Sequence, residues 1–332
     1  MTVKVSLITV NYNGQACLGE LFESLARQTQ PPDEVIMVDN ASTDSSVAYV
    51  RKRFPWVNVI VSPTNVGFAE GTNIGAANAQ GDYLALLNPD TVVDERWLEE
   101  LVRALDRDAR VGATVPKISL AGGDHILDCA GAEFNNLGFC WGRGSNQPDR
   151  GQFDTPTEVP GATACAMLLR HEALGGAPVF DGRFFMYYEE LELSLRIRGR
   201  GYTIRYVPTA IVYHKRAQAV KKAARQPTLF HQFYCNRNRV KILAKYYPAA
   251  VLFRSLPLIL LSLAYWNSVF LLRGGPVFFS RAVLAQTCAA LEGFRDRLHG
   301  KTVCADLWLP WMKEHSLRDI LDLRRQLGAY IE

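Results

Sequence analysis

Along the first third of the chain, short apolar runs rich in β-branched residues alternate with segments of helical period. Val3–Val10 is such a run and stops at the turn-forming Asn11-Tyr12-Asn13-Gly14, which predicts a buried strand. Leu18, Leu21, Phe22 and Leu25 then recur at helical spacing as far as Pro31-Pro32. Val35–Val38, Val57–Val61, Tyr83–Leu87 and Val111–Val115 repeat the strand pattern, and helices are expected between them over Ser45–Phe54, Gly67–Ala79 and Glu95–Leu105. Strands joined by helices of about ten residues require right-handed crossovers and give a Rossmann-like α/β domain with a mostly parallel sheet.

Polar residues collect at one end of that sheet. Asn11, Asn13, Asp39, Asn40, Asp44, Asn65, Asn88 and Asp90 all follow the C-terminal ends of expected strands, where open α/β sheets bind ligands. Any one of them is equally well explained as a turn former or helix cap; four strands ending alike point to a site.

Charge sharpens the domain picture. The net +4 of the 332-residue chain averages two opposite regions. Residues 1–192 hold 14 Lys and Arg against 26 Asp and Glu, whereas residues 193–291 hold 16 basic residues and no acid. So long an acid-free stretch predicts a polyanionic partner: diphosphate, anionic headgroups or nucleic acid. No nucleic-acid-binding motif accompanies it, so nucleic acid is not expected. Seven cysteines without a CxxC pair argue against a disulfide framework or zinc ribbon and for a reducing compartment. The first residues, MTVKVSLITVNYNG, lack a signal-peptide pattern, so a cytoplasmic location is expected.

The order of motifs resembles the inverting family 2 glycosyltransferases, and among them the rhamnosyltransferase-like branch. The resemblance rests on Val10-Asn11-Tyr12-Asn13, on Val38-Asp39-Asn40-Ala41-Ser42-Thr43-Asp44-Ser45, and on Asn65-Val66-Gly67-Phe68-Ala69-Glu70-Gly71-Thr72-Asn73. It continues through Asn88-Pro89-Asp90, Gly161-Ala162, Phe184-Phe185-Met186-Tyr187-Tyr188-Glu189-Glu190-Leu191-Glu192 and Arg196 to Tyr202, so that it covers about residues 3–214. It implies an A-type glycosyltransferase fold and a nucleotide diphosphate sugar as donor, with dTDP-L-rhamnose the donor this branch points to. Thr9, Asn11, Asn13, Asp39, Asn65, Gly67, Asn73 and Asn88 would line the nucleotide-sugar pocket. Asp90 and His214 would hold a divalent metal, Mg²⁺ or Mn²⁺; one or two protein ligands plus phosphates suit such an ion. Many relatives carry an Asp at the position of Asn88. The base would be Glu190, with Glu189 beside it, where relatives usually have Asp; the same acids also suit the first turn of a helix.

Beyond residue 214 the pattern changes. Lys215, Arg216, Lys221, Lys222, Arg225, Arg237, Arg239, Lys241 and Lys245 precede Ser255–Leu272, which has no charge, and a second apolar stretch, Val277–Leu291. Three readings fit: an in-plane anchor on an anionic membrane surface, a true span, or helices packed on the catalytic unit or on a second copy in a homodimer. The chain is therefore divided at 1–214, catalytic, and 215–332, a helical membrane-associating region. Residues 120–160 are expected to form an acceptor-side insertion, Thr163–Arg170 a return to the sheet, and Ser316–Leu327 an amphipathic surface helix. The expected activity is transfer of a sugar to a glycan or polyprenyl-diphosphate-linked acceptor at the inner face of the plasma membrane, in cell-envelope polysaccharide synthesis. The alternatives are a non-catalytic nucleotide-sugar-binding or scaffold relative, and a nucleotidyltransferase; the latter would carry basic residues in a Gly-rich loop after the first strand, and Gly14 has none nearby.

Overall fold

The computed structural model describes residues 3–122, 125–216, 229–300 and 304–315. Lys221, Lys222, Arg225 and the expected helix at Ser316–Leu327 lie outside the described residues. The chain forms two compact units, and residues 133–141 belong with the C-terminal helices rather than with the sheet that surrounds them in sequence.

The first unit opens as the hydropathy pattern predicts: β1 (Val5–Asn11), α1 (Gln15–Ala26), β2 (Glu34–Asp39), α2 (Ser46–Arg53), β3 (Val57–Val61), α3 (Gly67–Ala77) and β4 (Tyr83–Leu87). β4, β1, β2 and β3 lie side by side, all parallel, and the register sets Asn11 opposite Asp39 at the C-terminal edge. β1 and β4 are buried along their whole length, which explains their unbroken apolar runs. After β5 (Thr91–Val93) comes α4 (Trp97–Asp106), whose Trp97, Leu98, Leu101, Val102 and Leu105 form one buried stripe.

The second half of this sheet is mixed. β6 (Val111–Leu120), β7 (Leu127–Cys129), β8 (Ala132–Phe134), β9 (Cys140–Gly142), β10 (Thr157–Glu158), β11 (Ala166–Arg170), α5 (Glu189–Gly199) and β12 (Thr203–His214) follow in order, with β8 and β9 paired as a separate two-stranded sheet. β11, inside the expected return at 163–170, runs antiparallel between β4 and β6. β12 pairs parallel with β6 and, at its end, antiparallel with the short β5, so that His214 lies opposite Thr91. That pairing carries His214, 124 residues downstream, to the Asn88-Pro89-Asp90 turn.

The second unit is built on α6 (Leu229–Tyr246) and α7 (Ala249–Leu298). By length and composition alone α7 qualifies as a membrane span. Its backbone leaves the helical region at Gly275 (φ 77°, ψ 175°), immediately before Pro276, so it consists of two arms, 249–274 and 276–298. The side-chain amides of Asn267 and Gln286 hydrogen-bond to each other at 3.1 and 3.3 Å. Nineteen residues of straight helix would put them about 28 Å apart, so the arms fold back as a hairpin. α6 runs along it: Phe233 meets Phe278 near the turn, and Lys245 meets Asp296 at the far end. The 133–141 segment docks on the same unit through Tyr247, whose hydroxyl donates to the Asn135 carbonyl at 2.6 Å, and through Trp308, buried between Phe134 and Tyr247.

Candidate active site

Three groups of residues meet at the C-terminal edge of the parallel strands. The first joins β1 to β2. Asn11 and Asp39 are fully buried, and the Asn11 amide donates to the Asp39 carboxylate at 2.9 Å and to Ser42 Oγ at 3.1 Å. The other Asp39 oxygen accepts from the Ser42 backbone N–H at 2.9 Å. Asn13 Oδ1 accepts from the Thr43 backbone N–H at 2.7 Å. These bonds fix the two strand-end loops to one another. Thr9, one turn of the pleat below, is buried with its Oγ1 lacking a hydrogen-bond partner.

The second group is the start of α3. Asn40 spans it, donating to the Gly67 carbonyl at 2.9 Å and accepting from the Val66 N–H at 3.0 Å, while Asn65 Oδ1 accepts from the Gly67 N–H at 3.0 Å. Gly67 has φ +84°, and a Cβ there would lie 2.4 Å from the Phe185 carbonyl oxygen. The same oxygen accepts from the Ala69 N–H at 3.1 Å. The turn that opens α3 is thus fitted against the loop that precedes Glu189. Asn73 fastens that loop from α3: it exchanges two backbone hydrogen bonds with Phe180, at 2.9 and 3.0 Å.

The Phe184–Glu190 motif itself is contorted. Phe185, Tyr187 and Tyr188 all have positive φ, between 66° and 71°, and α5 starts directly afterwards at Glu189. Such conformations cost about 1–3 kcal/mol each and persist where the surroundings over-determine them. Glu189 is buried, Glu190 half-buried, and the Oε2 atoms of both are shielded from water with no hydrogen-bond partner. Burial raises both carboxyl pKa values, and the neighbouring Glu190 raises Glu189 further still. The first turn of α5 is anchored by Ser194, which donates to the Glu190 carbonyl at 2.6 Å and accepts from the buried Ala162 N–H at 2.9 Å. This is the structural place of the Gly161-Ala162 motif.

The third group surrounds His214. Its Nε2 lies 3.2 Å from Asp90 Oδ1, and its Nδ1 lies 2.5 Å from Asp128 Oδ2. Arg216 Nε donates to the other Asp128 oxygen at 2.8 Å. Ligand atoms of Asp128, Cys165 and His214 lie within 4.8 Å of one another. Asn88 takes part through its backbone, donating to the Cys165 carbonyl at 2.8 Å and accepting from Thr91 Oγ1 at 2.7 Å. Burial works against a charged imidazole, but the hydrogen bonds to Asp128 and Asp90 outweigh it and hold its pKa above the histidine range. Burial pushes the Cys165 thiol up, so at neutral pH the anions here are the two carboxylates. Asp128 stays below the carboxylate range despite its own burial because His214 and Arg216 bond to it.

Asp90 and His214 fit a divalent ion. Their 3.2 Å separation is close to the edge of an octahedron with ligands about 2.1 Å from the metal. Asp128 then stands where the partner of a metal-bound histidine belongs, fixing the ring through its second nitrogen. A neutral buried thiol is a poor ligand for a hard cation, which leaves Cys165 as packing. Sequence reasoning did not single out Asp128; it sits in an unremarkable Leu-Asp-Cys, and only the β6–β7 pairing brings it to β12.

A parallel sheet with a carboxylate-histidine pair, an Asn-Asp strand-end cluster and a buried acidic pair at its C-terminal edge defines a nucleotide-dependent group-transfer enzyme of A-type glycosyltransferase fold. Residues 6–175 match the model of glycosyl transferase family 2, and the chain belongs to that family. It is 28% identical over 251 residues to N-acetylglucosaminyl-diphospho-decaprenol L-rhamnosyltransferase of Mycobacterium tuberculosis, which covers 66% of this chain and 78% of that protein. It is 32% identical over 243 residues to O-antigen biosynthesis protein RfbC of Myxococcus xanthus, which covers 67% of this chain and 18% of the other. Among solved structures, GalNAc-T7 with UDP, GalNAc and Mn²⁺ superposes with a TM-score of 0.59 at 19% identity, over 74% of this chain and 48% of that one. TarS of S. aureus gives 0.51 at 18% identity, over 72% and 40%.

Proposed function

We propose that the chain catalyses inverting transfer of a sugar, L-rhamnose from dTDP-rhamnose, onto a polyprenyl-diphosphate-linked glycan at the cytoplasmic face of the plasma membrane, in cell-envelope polysaccharide assembly. The observation that carries the reading is the Glu189–Glu190 pair. Inverting transfer needs one carboxylate that is unsolvated, charged at working pH and basic enough to take a hydroxyl proton. Burial raises both carboxyls and the two titrate as a pair above the ordinary carboxylate range, and Glu190 is assigned as the base of that pair.

Glu190 accepts the proton of the acceptor hydroxyl as that oxygen forms its bond to the anomeric carbon. The bond from that carbon to the diphosphate oxygen breaks, and its electron pair leaves with the nucleoside diphosphate. A divalent cation held by Asp90 and His214, Mg²⁺ or Mn²⁺, would neutralise charge on the leaving diphosphate. Thr9, Asn11, Asp39 and Asn65, gathered at the ends of β1 and β2 and the start of α3, are the residues assigned to hold the nucleoside, and the N-terminus of α3 favours a nearby negative charge. Asn13, Asn73 and Asn88 shape this pocket through the loop bonds described above. Residues 215–332 hold the enzyme on an anionic membrane surface, beside its lipid-linked acceptor.

The lipid-linked acceptor and the rhamnosyl donor are supported by the likeness to the mycobacterial enzyme, which spans most of that protein's length. The test is nucleoside diphosphate release by the purified full-length chain with Mg²⁺ or Mn²⁺, comparing dTDP-rhamnose with UDP- and GDP-sugars and a polyprenyl-diphosphate N-acetylglucosamine acceptor. Acceptor-dependent release from dTDP-rhamnose alone supports the proposal. Release from another donor overturns the rhamnosyl assignment, and no release from any donor overturns catalysis in favour of a binding or scaffold protein.

A further inference from the structure

On the α7 hairpin the buried positions are as often polar or glycine as apolar, although α6, Phe134 and Trp308 supply a conventional apolar core beside them. On the first arm of α7 the buried stripe is Val251, Ser255, Ile259, Ser262 and Phe270; on the second it is Ala282, Gln286, Ala289, Gly293 and Asp296. Half of these inward positions are polar or glycine. Their partners are polar as well: Arg239 of α6 donates to Ser262 at 3.0 Å, Asn136 donates to Ser255 at 2.9 Å, and Asn267 and Gln286 bridge the arms. Lys241, fully buried, lies 3.3 Å from Glu292. The large apolar side chains point the other way. Phe253, Leu260 and Leu272 on one arm, and Val277, Leu284 and Leu298 on the other, are more than half exposed, with Phe253, Leu272 and Leu298 above 80%. At 100° per residue they fall on the side of each arm opposite its buried stripe. Soluble bundles arrange these classes in the reverse way. Small and polar residues at helix contacts with apolar residues outside are the pattern of helices in lipid.

We propose that the outer face of the α7 hairpin lies flat in the interfacial layer of an anionic membrane, with both arms in the plane, so that the protein is held on one leaflet without crossing it. The proposal rests on the membrane-side reading above and specifies its device. Charge selects the occupant: residues 193–291 contain no acid, and Arg273 and Arg281 stand exposed on the hairpin. Charge also selects the orientation. Insertion turn-first would carry Arg273, two residues from the break, and Arg281 to the greatest depth, the costliest place for a guanidinium. Lying flat, both reach headgroups with their stems in the apolar layer. The apolar face also runs from Phe253 and Leu298 at one end to Leu272 and Val277 at the other, as a flat contact requires.

The test uses the full chain with the exposed Cys288 and Cys304 replaced by Ser and a single environment-sensitive label at Leu260→Cys, Leu272→Cys or Leu284→Cys. Vesicles are phosphatidylcholine with or without 30 mol% phosphatidylglycerol, carrying spin labels at shallow or deep acyl positions. Expected are flotation at least ten-fold greater with phosphatidylglycerol and shallow quenching of equal extent at all three positions. Leu260→Glu combined with Leu284→Glu should reduce flotation at least ten-fold while leaving nucleotide-sugar binding unchanged, a readout independent of whether transfer itself is confirmed. Quenching that deepens toward position 272, no flotation on either vesicle, or undiminished flotation of the double variant would each overturn the proposal. So would a stable dimer in buffer that shields positions 260 and 284 without lipid.

Discussion

Replacing Glu190 by Gln keeps the shape of the side chain and removes only its basicity. A positioned general base contributes about 10²–10⁴ in rate, equivalent to about 2.7–5.5 kcal/mol at 1.36 kcal/mol per tenfold. Glu190 Oε2 is shielded from water and has no hydrogen-bond partner among the described residues, and the upper half of that range is expected. Donor affinity should stay within two-fold, since the residues proposed to hold the nucleotide are on β1, β2 and α3. Glu190→Asp retracts the carboxylate by about 1.5 Å and should lose about 10² in rate. The raised Glu190 pKa fixes the sign of the pH profile in the wild type: transfer is full above that value and falls as pH drops through it, at a higher pH than an ordinary carboxylate would give. Stability has the opposite sign. A carboxyl whose folded pKa is raised makes the fold most stable below the unfolded value, about 4.3, and that contribution is lost as pH rises toward the folded value. At pH 8 the Gln variant should therefore melt no lower than wild type. Single-turnover transfer, donor titration and thermal melts on one preparation separate these effects. Transfer within two-fold of wild type would refute the base assignment, and loss of donor binding with loss of rate would show that the residue supports the pocket instead.

Gly67→Ala forces a left-handed Ala, which costs about 1–2 kcal/mol, and drives its Cβ onto the Phe185 carbonyl; a fall in the denaturant midpoint together with weakened donor binding is expected, and an unchanged midpoint would contradict the fit of α3 to the 185 loop. Asp128→Asn leaves both proposed metal ligands in place but weakens the hold on the His214 ring, so Mn²⁺ affinity in the presence of nucleoside diphosphate should drop about 10–100-fold by calorimetry; equal affinity would remove Asp128 from the site. Ser194→Ala orphans the buried Ala162 N–H, at a cost of about 1–3 kcal/mol, and loosens the turn carrying Glu190. It should lower kcat while the donor KM holds, and a change confined to KM would argue against its positioning role.

The parts of the fold that were legible in the sequence are those whose pattern is local. The strand at Tyr83–Leu87 falls where expected because a buried parallel strand is a continuous apolar run closed by turn residues, and Val57–Val61, a part-exposed edge strand, is marked by its β-branched residues. β6 extends to Leu120, beyond the Val115 expected, because its later half pairs with β7 and β12, partners that no local pattern announces. The same reason hides Asp128. Its role exists only through strand pairing across 86 residues, whereas Asp39 and Asp90 sit at strand ends that the apolar runs mark directly.

The C-terminal helices show what composition leaves unspecified. Counting hydropathy over Ser255–Leu272 gives an apolar segment near span length and leaves span, anchor and core helix all open. What separates them is the direction of each side chain relative to its neighbours, and that depends on a single backbone break. Without Gly275 the arms could not return on one another, Asn267 could not meet Gln286, and the buried stripes could not face the same seam. With the break, Ser255, Ser262, the amide pair and the lysine–acid pairs are taken inward, and most of the leucines are left outside. The chain has therefore used its polar residues to hold the bundle together and kept its apolar surface for something else. Among the described residues nothing covers that surface, and in water the hydrophobic effect that drives ordinary cores would oppose this arrangement at every exposed leucine. The pattern of burial, rather than the hydropathy sum, is therefore the argument for the proposed lipid contact.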